Sequence, residues 1–164
     1  MKVFILNICL LMLTATLSCS YYSFSGSLPG HIKTCAVPLF ENETVEPDLV
    51  EDVTKVVVDA IIANGTMKVV GEFQADAVVN GTIVEFLDEL DEFSGAGAKQ
   101  LKIRVFANVK FFDKTKNKAI WEEEGIEGWG RYDSDGSEVT REDGKEKALE
   151  MLAKEIIDRT VSDW

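Results

Sequence analysis

A single histidine and three cysteines in 164 residues leave this chain poorly supplied for metal or nucleophile chemistry. His31 has no Cys/His cluster near it, so the ligand spacing of a zinc site is missing and a surface position is expected. No nucleophile elbow or oxyanion motif accompanies it, which removes Ser-His-Asp catalysis. Cys9 lies in the N-terminal apolar run, Cys19 follows that run, and Cys35 falls in the strand-like stretch Ile32-Lys33-Thr34-Cys35-Ala36-Val37. That is no disulfide framework. Cys35 reads as a buried, inert thiol, because reactive cysteines need an accessible, electropositive niche. No glycine-rich loop follows a strand at the spacing of a phosphate cradle, and Gly95-Ala96-Gly97 is too bare a signal. Internal repeats, coiled-coil heptads and low-complexity tracts are also missing.

Positive charge is scarce as well. Seventeen Lys and Arg face 29 Asp and Glu, for a net charge of −12. Such a field opposes attachment to nucleic acid and to an anionic bilayer, so no nucleic-acid partner is expected. The acidic groups invite a metal or glycosidase centre: Glu85, Asp88, Glu89, Asp91 and Glu92 form one run, and Glu122, Glu123, Glu124 and Glu127 another. The intervening strand carries Lys99, Lys102, Arg104 and Lys110. Cross-strand charge pairing, at roughly 0.2 to 1 kcal/mol per pair, accounts for the pattern without a catalytic centre. Asp133, Asp135, Gly136 and Glu142 have the spacing of a calcium loop, but its first ligand position is Arg131 and no helix precedes it. A strand-to-helix turn is expected there. No cofactor is called for.

One long apolar run is present. Lys2 precedes Val3 to Leu17, which is broken only by Asn7, Thr14 and Thr16 and ends in Ser18-Cys19. A positive start, a short apolar middle and a small residue before the break mark an export signal. The run is too short to span a bilayer comfortably. Thr16-Leu17-Ser18-Cys19 resembles a bacterial lipobox, with leucine one position nearer the cysteine than usual. That likeness implies acylation of Cys19, which becomes the lipid-anchored N-terminus. Residues 1–18 are then the leader, 19–30 a Ser-, Gly- and Tyr-rich tether, and 31–164 one domain, a size that buries roughly 70% of its unfolded surface around one core.

Within that domain, His31 to Leu39 reads as a strand, with Pro38 marking an edge or an end. Glu46-Pro47-Asp48 opens a helix with an early proline and acids at its positive end. Leu49, Val53, Val56, Val57, Ala60 and Ile61 form its apolar face, and Asn64-Gly65 stops it. Strands follow at Met67 to Val70, Ala77 to Phe86, Leu101 to Phe112 and about Ala119 to Ile126, with a turn at Asp113 to Asn117 and a loop at Phe93 to Ala98. A second helix, about Glu142 to Val161, carries the stripe Ala148, Leu149, Leu152, Ala153, Ile156 and Ile157, weakened at its start by Gly144. The expected class is α/β (α+β), a two-layer sandwich. A mostly antiparallel or mixed sheet of four to five strands has both helices on one face, in the order β-α-β-β-β-β-α.

The strand from Leu101 alternates most cleanly. Leu101, Ile103, Val105, Ala107, Val109 and Phe111 share the core face, and Lys102, Arg104, Phe106, Asn108, Lys110 and Phe112 the other. Cations mixed with aromatics suit a face that meets a partner. Lys102, Arg104, Phe106 and Lys110 are therefore the candidate binding residues.

The N-terminal block Cys19-Ser20-Tyr21-Tyr22-Ser23-Phe24-Ser25-Gly26, with Leu28-Pro29, His31-Ile32-Lys33-Thr34, Val37-Pro38-Leu39-Phe40 and Asn42-Glu43-Thr44, resembles the opening of the LptE family of lipopolysaccharide-assembly lipoproteins. Ala75-Asp76-Ala77-Val78-Val79-Asn80-Gly81 resembles its second motif. The resemblance implies a noncatalytic outer-membrane lipoprotein on the periplasmic side. It would sit as a plug in the LptD-type β-barrel, assist its assembly and contact lipopolysaccharide. No lipid-contacting motif is matched, so the candidate binding residues stand on the alternation alone. Val37-Pro38-Leu39-Phe40-Glu41-Asn42 also resembles envelope modules such as LpoB-like activators of peptidoglycan synthases and CsgG secretion lipoproteins. That likeness implies the alternative of a regulatory module acting on a periplasmic enzyme.

Overall fold

The computed structural model describes residues 28–91, 100–136 and 138–161. The expected loop at Phe93 to Ala98 and the leader, Cys19 and most of the tether lie outside them. The elements run β1 (Thr34–Ala36), β2 (Glu41–Asn42), α1 (Leu49–Asn64), β3 (Lys68–Val69), a 3-10 turn (Glu72–Gln74), β4 (Ala77–Leu90), β5 (Gln100–Asp113), β6 (Lys118–Asp133) and α2 (Arg141–Val161). The fold is α+β, two helices and a six-stranded mixed sheet ordered β3-β1-β4-β5-β6, with β2 beside β4.

The strand count exceeds four to five because the expected strand from His31 to Leu39 shortens to β1, and a further short strand, β2, forms in the stretch beyond it that reads as a loop. β1 pairs in parallel with β4 through Cys35 and Ala36, β2 through Glu41 and Asn42, and Pro38 lies in the unpaired gap between them. Proline donates no ladder hydrogen bond, so pairing lapses there and resumes beyond it. β1 is also no edge strand, since β3 flanks it on the other side. β4, β5 and β6 form the antiparallel meander.

Helix α1 starts at Leu49, two residues later than the proline signal suggests. Asp48 sits at φ 61, a left-handed conformation that Asp tolerates, so Pro47 and Asp48 form the turn ahead of the helix. Gly65 closes α1 at φ 71 with its N–H on the Ile61 carbonyl, 3.2 Å away. Every residue of the α2 stripe is buried. In α1, Val56 and Ala60 are only partly covered and Thr54 is buried instead, donating to the Val50 carbonyl at 2.6 Å and accepting the Phe40 N–H at 3.0 Å.

β6 runs seven residues past its expected end. Its core-side positions are Ile126, Gly128, Gly130 and Tyr132, and two glycines erase the apolar alternation that marks a strand. Those glycines let α2 lie against the sheet backbone. A Cβ on Gly128 would stand 2.7 Å from Leu152 Cβ, and one on Gly130 would stand 2.9 Å from Lys147 Cβ. Gly144 serves the same approach from the helix side, buried against Tyr132.

The β5–β6 turn is organised by Asp113. Its carboxylate accepts the Thr115 N–H at 2.9 Å and hydroxyl at 2.6 Å, the Lys116 N–H at 3.0 Å, and His31 Nε2 at 2.7 Å. Burial works against its ionisation, but these donors outweigh it and hold the carboxyl down at about 2. A folded value below the ordinary one stabilises the fold above about pH 4, and that stability is lost as pH falls toward 2. Asp113→Asn is expected to cost about 2 kcal/mol at neutral pH and to flatten stability across that acid window. Urea unfolding at several pH values measures both. An unchanged acid limb would show that Asp113 is not its source.

Candidate partner-binding face

Both helices cover one face of the sheet, and the other carries the candidate residues. Lys102, Arg104, Phe106 and Lys110 project together from β5, each half-buried, while Ile103, Val105, Ala107 and Val109 point to the core. β6 adds Glu127, Trp129 and Arg131 to the same face, and β4 adds Glu85, Leu87 and Glu89, by the register Arg104↔Trp129, Lys102↔Arg131 and Leu87↔Arg104.

The cations are engaged. Arg104 Nε donates to Glu127 at 2.6 Å, and a second guanidinium nitrogen reaches Glu89 at 3.4 Å. The hydrogen bond to Glu127, more than any other contact, raises the Arg104 pKa. Lys110 pairs with Glu122 at 2.9 Å. Cross-strand complementarity thus accounts for Glu89, Asp91, Glu122 and Glu127, while Asp88 and Glu123 bind Arg141 and Arg159 of α2. Glu92 and Lys99 lie outside the described residues. Each exposed pair is worth about 1 kcal/mol or less. Lys102 and Arg131 stand directly opposite with like charge. Both lie over the Trp129 ring, at 5.0 and 4.9 Å from its centroid, and Arg131 also pairs with Asp91. Arg104 lies 4.8 Å from the Phe106 centroid. The face is a ladder of cations on aromatic rings, bordered beside Lys110 by a cavity of about 450 Å³ lined by Leu39, Asn80, Thr82 and Asn108.

Trp129 and Arg131 belong to this face but carry no readable signal in the sequence, because the glycines of β6 conceal its period. The loop with calcium-like spacing is a turn: Asp133 accepts the N–H groups of Glu138 and Val139 at 3.2 and 3.0 Å. Among the described residues no three His, Cys, Asp or Glu side chains converge as a metal site. Burial pushes the Cys35 thiol up to about 11, so it stays protonated at neutral pH. At the far end of the sheet Tyr132 donates to Asp88 at 2.7 Å, and Arg141 binds Asp88 and Glu46 at 2.8 and 3.1 Å, tying α2 to β4 and to the segment before α1. Burial, followed by the Asp88 hydrogen bond, pushes Tyr132 up to about 12.

The two sequence blocks quoted above meet in space. Asp76 accepts the N–H groups of Lys33 and Thr34 at 2.9 and 3.0 Å and the Thr34 hydroxyl at 2.8 Å, and its own N–H donates back to Thr34 Oγ1 at 3.0 Å. The Phe40 ring fills the space above Gly81, where a Cβ would stand 2.5 Å from its Cζ. Asn42 accepts the Thr44 N–H and hydroxyl at 2.9 and 2.8 Å and turns the chain toward α1. The profile of the family described as LptE, lipopolysaccharide-assembly, matches residues 32–164, which covers all of these positions. The chain belongs to the LptE family. A comparison with curated proteins finds no match. Among solved structures, the PelC dodecamer of Paraburkholderia phytofirmans is 17% identical with a TM-score of 0.53, over 84% of this chain and 95% of PelC. Protein XCC0632 of Xanthomonas campestris is 11% identical with a TM-score of 0.54, over 83% and 90%. A minor lipoprotein of Acinetobacter baumannii is 14% identical with a TM-score of 0.50, over 83% and 98%. At such identities the likeness shows a shared fold. In this LptE-family member, the residues that carry the resemblance join β1 and the segment after it to β4 and shape the entry to α1, while the cation–aromatic ladder lies on β5 and β6.

Proposed function

We propose that the chain is an outer-membrane lipoprotein, anchored at the periplasmic face through acylated Cys19, that plugs and helps assemble an LptD-type β-barrel for lipopolysaccharide export. The observation that carries this reading is the family match across residues 32–164. The proposed division is a leader over 1–18, a tether over 19–30 and the domain over 31–164. The helix-free sheet face supports a binding role without catalysis, since its charged groups are spent on ion pairs and ring contacts. Lys102, Arg104, Phe106 and Lys110 are the proposed contacts to the barrel wall or to lipopolysaccharide.

The test is affinity purification of the full-length protein from membranes of its native cell, with mass spectrometry of the co-purified chains and of the Cys19 peptide. A stoichiometric barrel and an acylated Cys19 are expected. A peptidoglycan synthase in place of a barrel would establish the regulatory alternative. Cys19→Ala is expected to leave the leader uncleaved and to reduce the recovered barrel complex about tenfold or more, because the acyl chains supply the anchoring free energy. Full recovery of the complex with Cys19→Ala would show that the anchor is dispensable for it.

A further inference from the structure

We infer that the end of the sheet from which the tether emerges is a docking surface for anionic phospholipid headgroups. The inference rests on the anchored-lipoprotein reading above. β1, β3 and β4 begin at this end, and β5 turns into β6 there, as the register Thr34↔Lys68, Cys35↔Ala77, Ala77↔Asp113 and Asp113↔Lys118 shows. Lys33 precedes β1, Lys68 opens β3, Lys114 and Lys116 lie in the β5–β6 turn and Lys118 opens β6, all of them exposed. Across the strands from β3 to β6 they spread over roughly 19 Å, at about 4.8 Å per strand.

Their pairing sets them apart. Lys55, Arg104, Lys110, Arg131, Arg141, Lys145, Lys147, Lys154 and Arg159 each hold an acidic partner within 4.0 Å. Among the described residues, the cations outside such pairs are Lys102, which lies on Trp129, and the five lysines at this end. Lys114 reaches only the Glu72 carbonyl. Of the nearby acids, Asp76 and Asp113 turn their oxygens to backbone N–H groups, Thr34, Thr115 and His31, and exposed Glu72 forms an ion pair with none of these lysines. In a chain of net charge −12, five unpaired lysines against the carboxylates of Glu72, Asp76 and Asp113 therefore leave this one pole net basic. The net charge, which argued against an anionic surface, conceals this distribution.

An apolar group accompanies the lysines. Phe73 is fully exposed in the 3-10 turn whose Glu72 carbonyl Lys114 holds. An aromatic ring beside several lysines is the composition of an interfacial contact, the ring entering the headgroup layer and the ammonium groups pairing with phosphates. The tether fixes the occupant. Leu28 packs on the core, and eight residues separate it from Cys19, so the anchor can lie at most about 30 Å away. An acyl chain in the leaflet thus keeps this pole within reach of the bilayer surface. Docked so, the strands stand along the membrane normal, and the Lys102–Trp129–Arg131 ladder faces sideways, where a barrel wall would be.

The probe is an environment-sensitive dye on Phe73→Cys in the mature protein, reconstituted into vesicles of phosphatidylcholine alone or with phosphatidylglycerol. A blue shift is expected only with phosphatidylglycerol. It should disappear at high salt, where the screening length falls to about 3 Å, and in the Lys114→Glu, Lys116→Glu, Lys118→Glu variant. Equal emission in both vesicles, or a shift indifferent to charge reversal, would overturn the docking surface. Mass spectrometry of the N-terminal peptide in the same sample reports the anchor separately. If Cys19 proves unmodified, Cys19→Ser protein carrying the dye is read in excess vesicles. There the docking surface still requires anionic dependence, and more than tenfold weaker binding after charge reversal.

Discussion

Alanine at Gly128 is expected to cost about 3 kcal/mol or more, although alanine ordinarily suits a strand better than glycine. Its methyl would overlap the Ala148 carbonyl and stand 2.7 Å from both Leu152 N and Leu152 Cβ. Two of these three neighbours are helix backbone, which cannot move aside as a flexible side-chain tip can. Relief would require α2 to lift from β6, uncovering Ala148, Leu152 and Ile156, each at 0% exposure. At Gly130, a methyl would overlap the Gly144 carbonyl and stand 3.0 Å from Ala148 N, so Gly130→Ala should behave likewise. Gly71 is the control: a Cβ there meets nothing within 4 Å, and Gly71→Ala should change stability by about 0.5 kcal/mol or less. Denaturant unfolding of the three variants measures the contrast. Equal stability for Gly128→Ala and Gly71→Ala would mean that α2 does not lie on β6 as described.

Charge reversal of Lys102, Arg104 and Lys110 together is expected to lower the recovered barrel complex, or lipopolysaccharide delivery, by about tenfold or more while the domain stays folded. The three positions differ physically, and single variants use the difference. Lys102→Glu removes a cation that sits on Trp129, so it changes the face with little loss of internal pairing. Arg104→Glu places a third carboxylate beside Glu89 and Glu127 and should also cost about 1 to 2 kcal/mol of stability. Pull-down of the barrel from cells, with circular dichroism on each purified variant, separates the two effects. Wild-type complex levels from a folded triple variant would remove this face from the interaction.

Much of the architecture was legible from local pattern. The α2 stripe, the Gly65 stop and the two faces of β5 needed only side-chain period and the conformational freedom of one glycine. The candidate site was legible in half. Lys102, Arg104, Phe106 and Lys110 share a face because alternation along one strand is a local property. Trp129 and Arg131 were hidden, because Gly128 and Gly130 have no side chain to register a period. Their function, admitting a helix at close range, depends on a partner element outside the local sequence.

The sequence by itself determined the polarity of each surface: one apolar face per helix, one core face on β5, a net charge of −12 and the family blocks at Thr34 and Asp76. Only the tertiary structure decided which charges remain available. Cross-strand register brings acids onto Arg104 and Lys110 and spends them there, and at the tether end the parallel and antiparallel strands bring five lysines together without acidic partners. Composition adds charges without regard to distance, whereas Coulomb attraction weakens with separation and exposed pairs are screened beyond about 8 to 10 Å. The same overall charge can therefore conceal paired faces and one pole that is net basic, and only the folded chain places them.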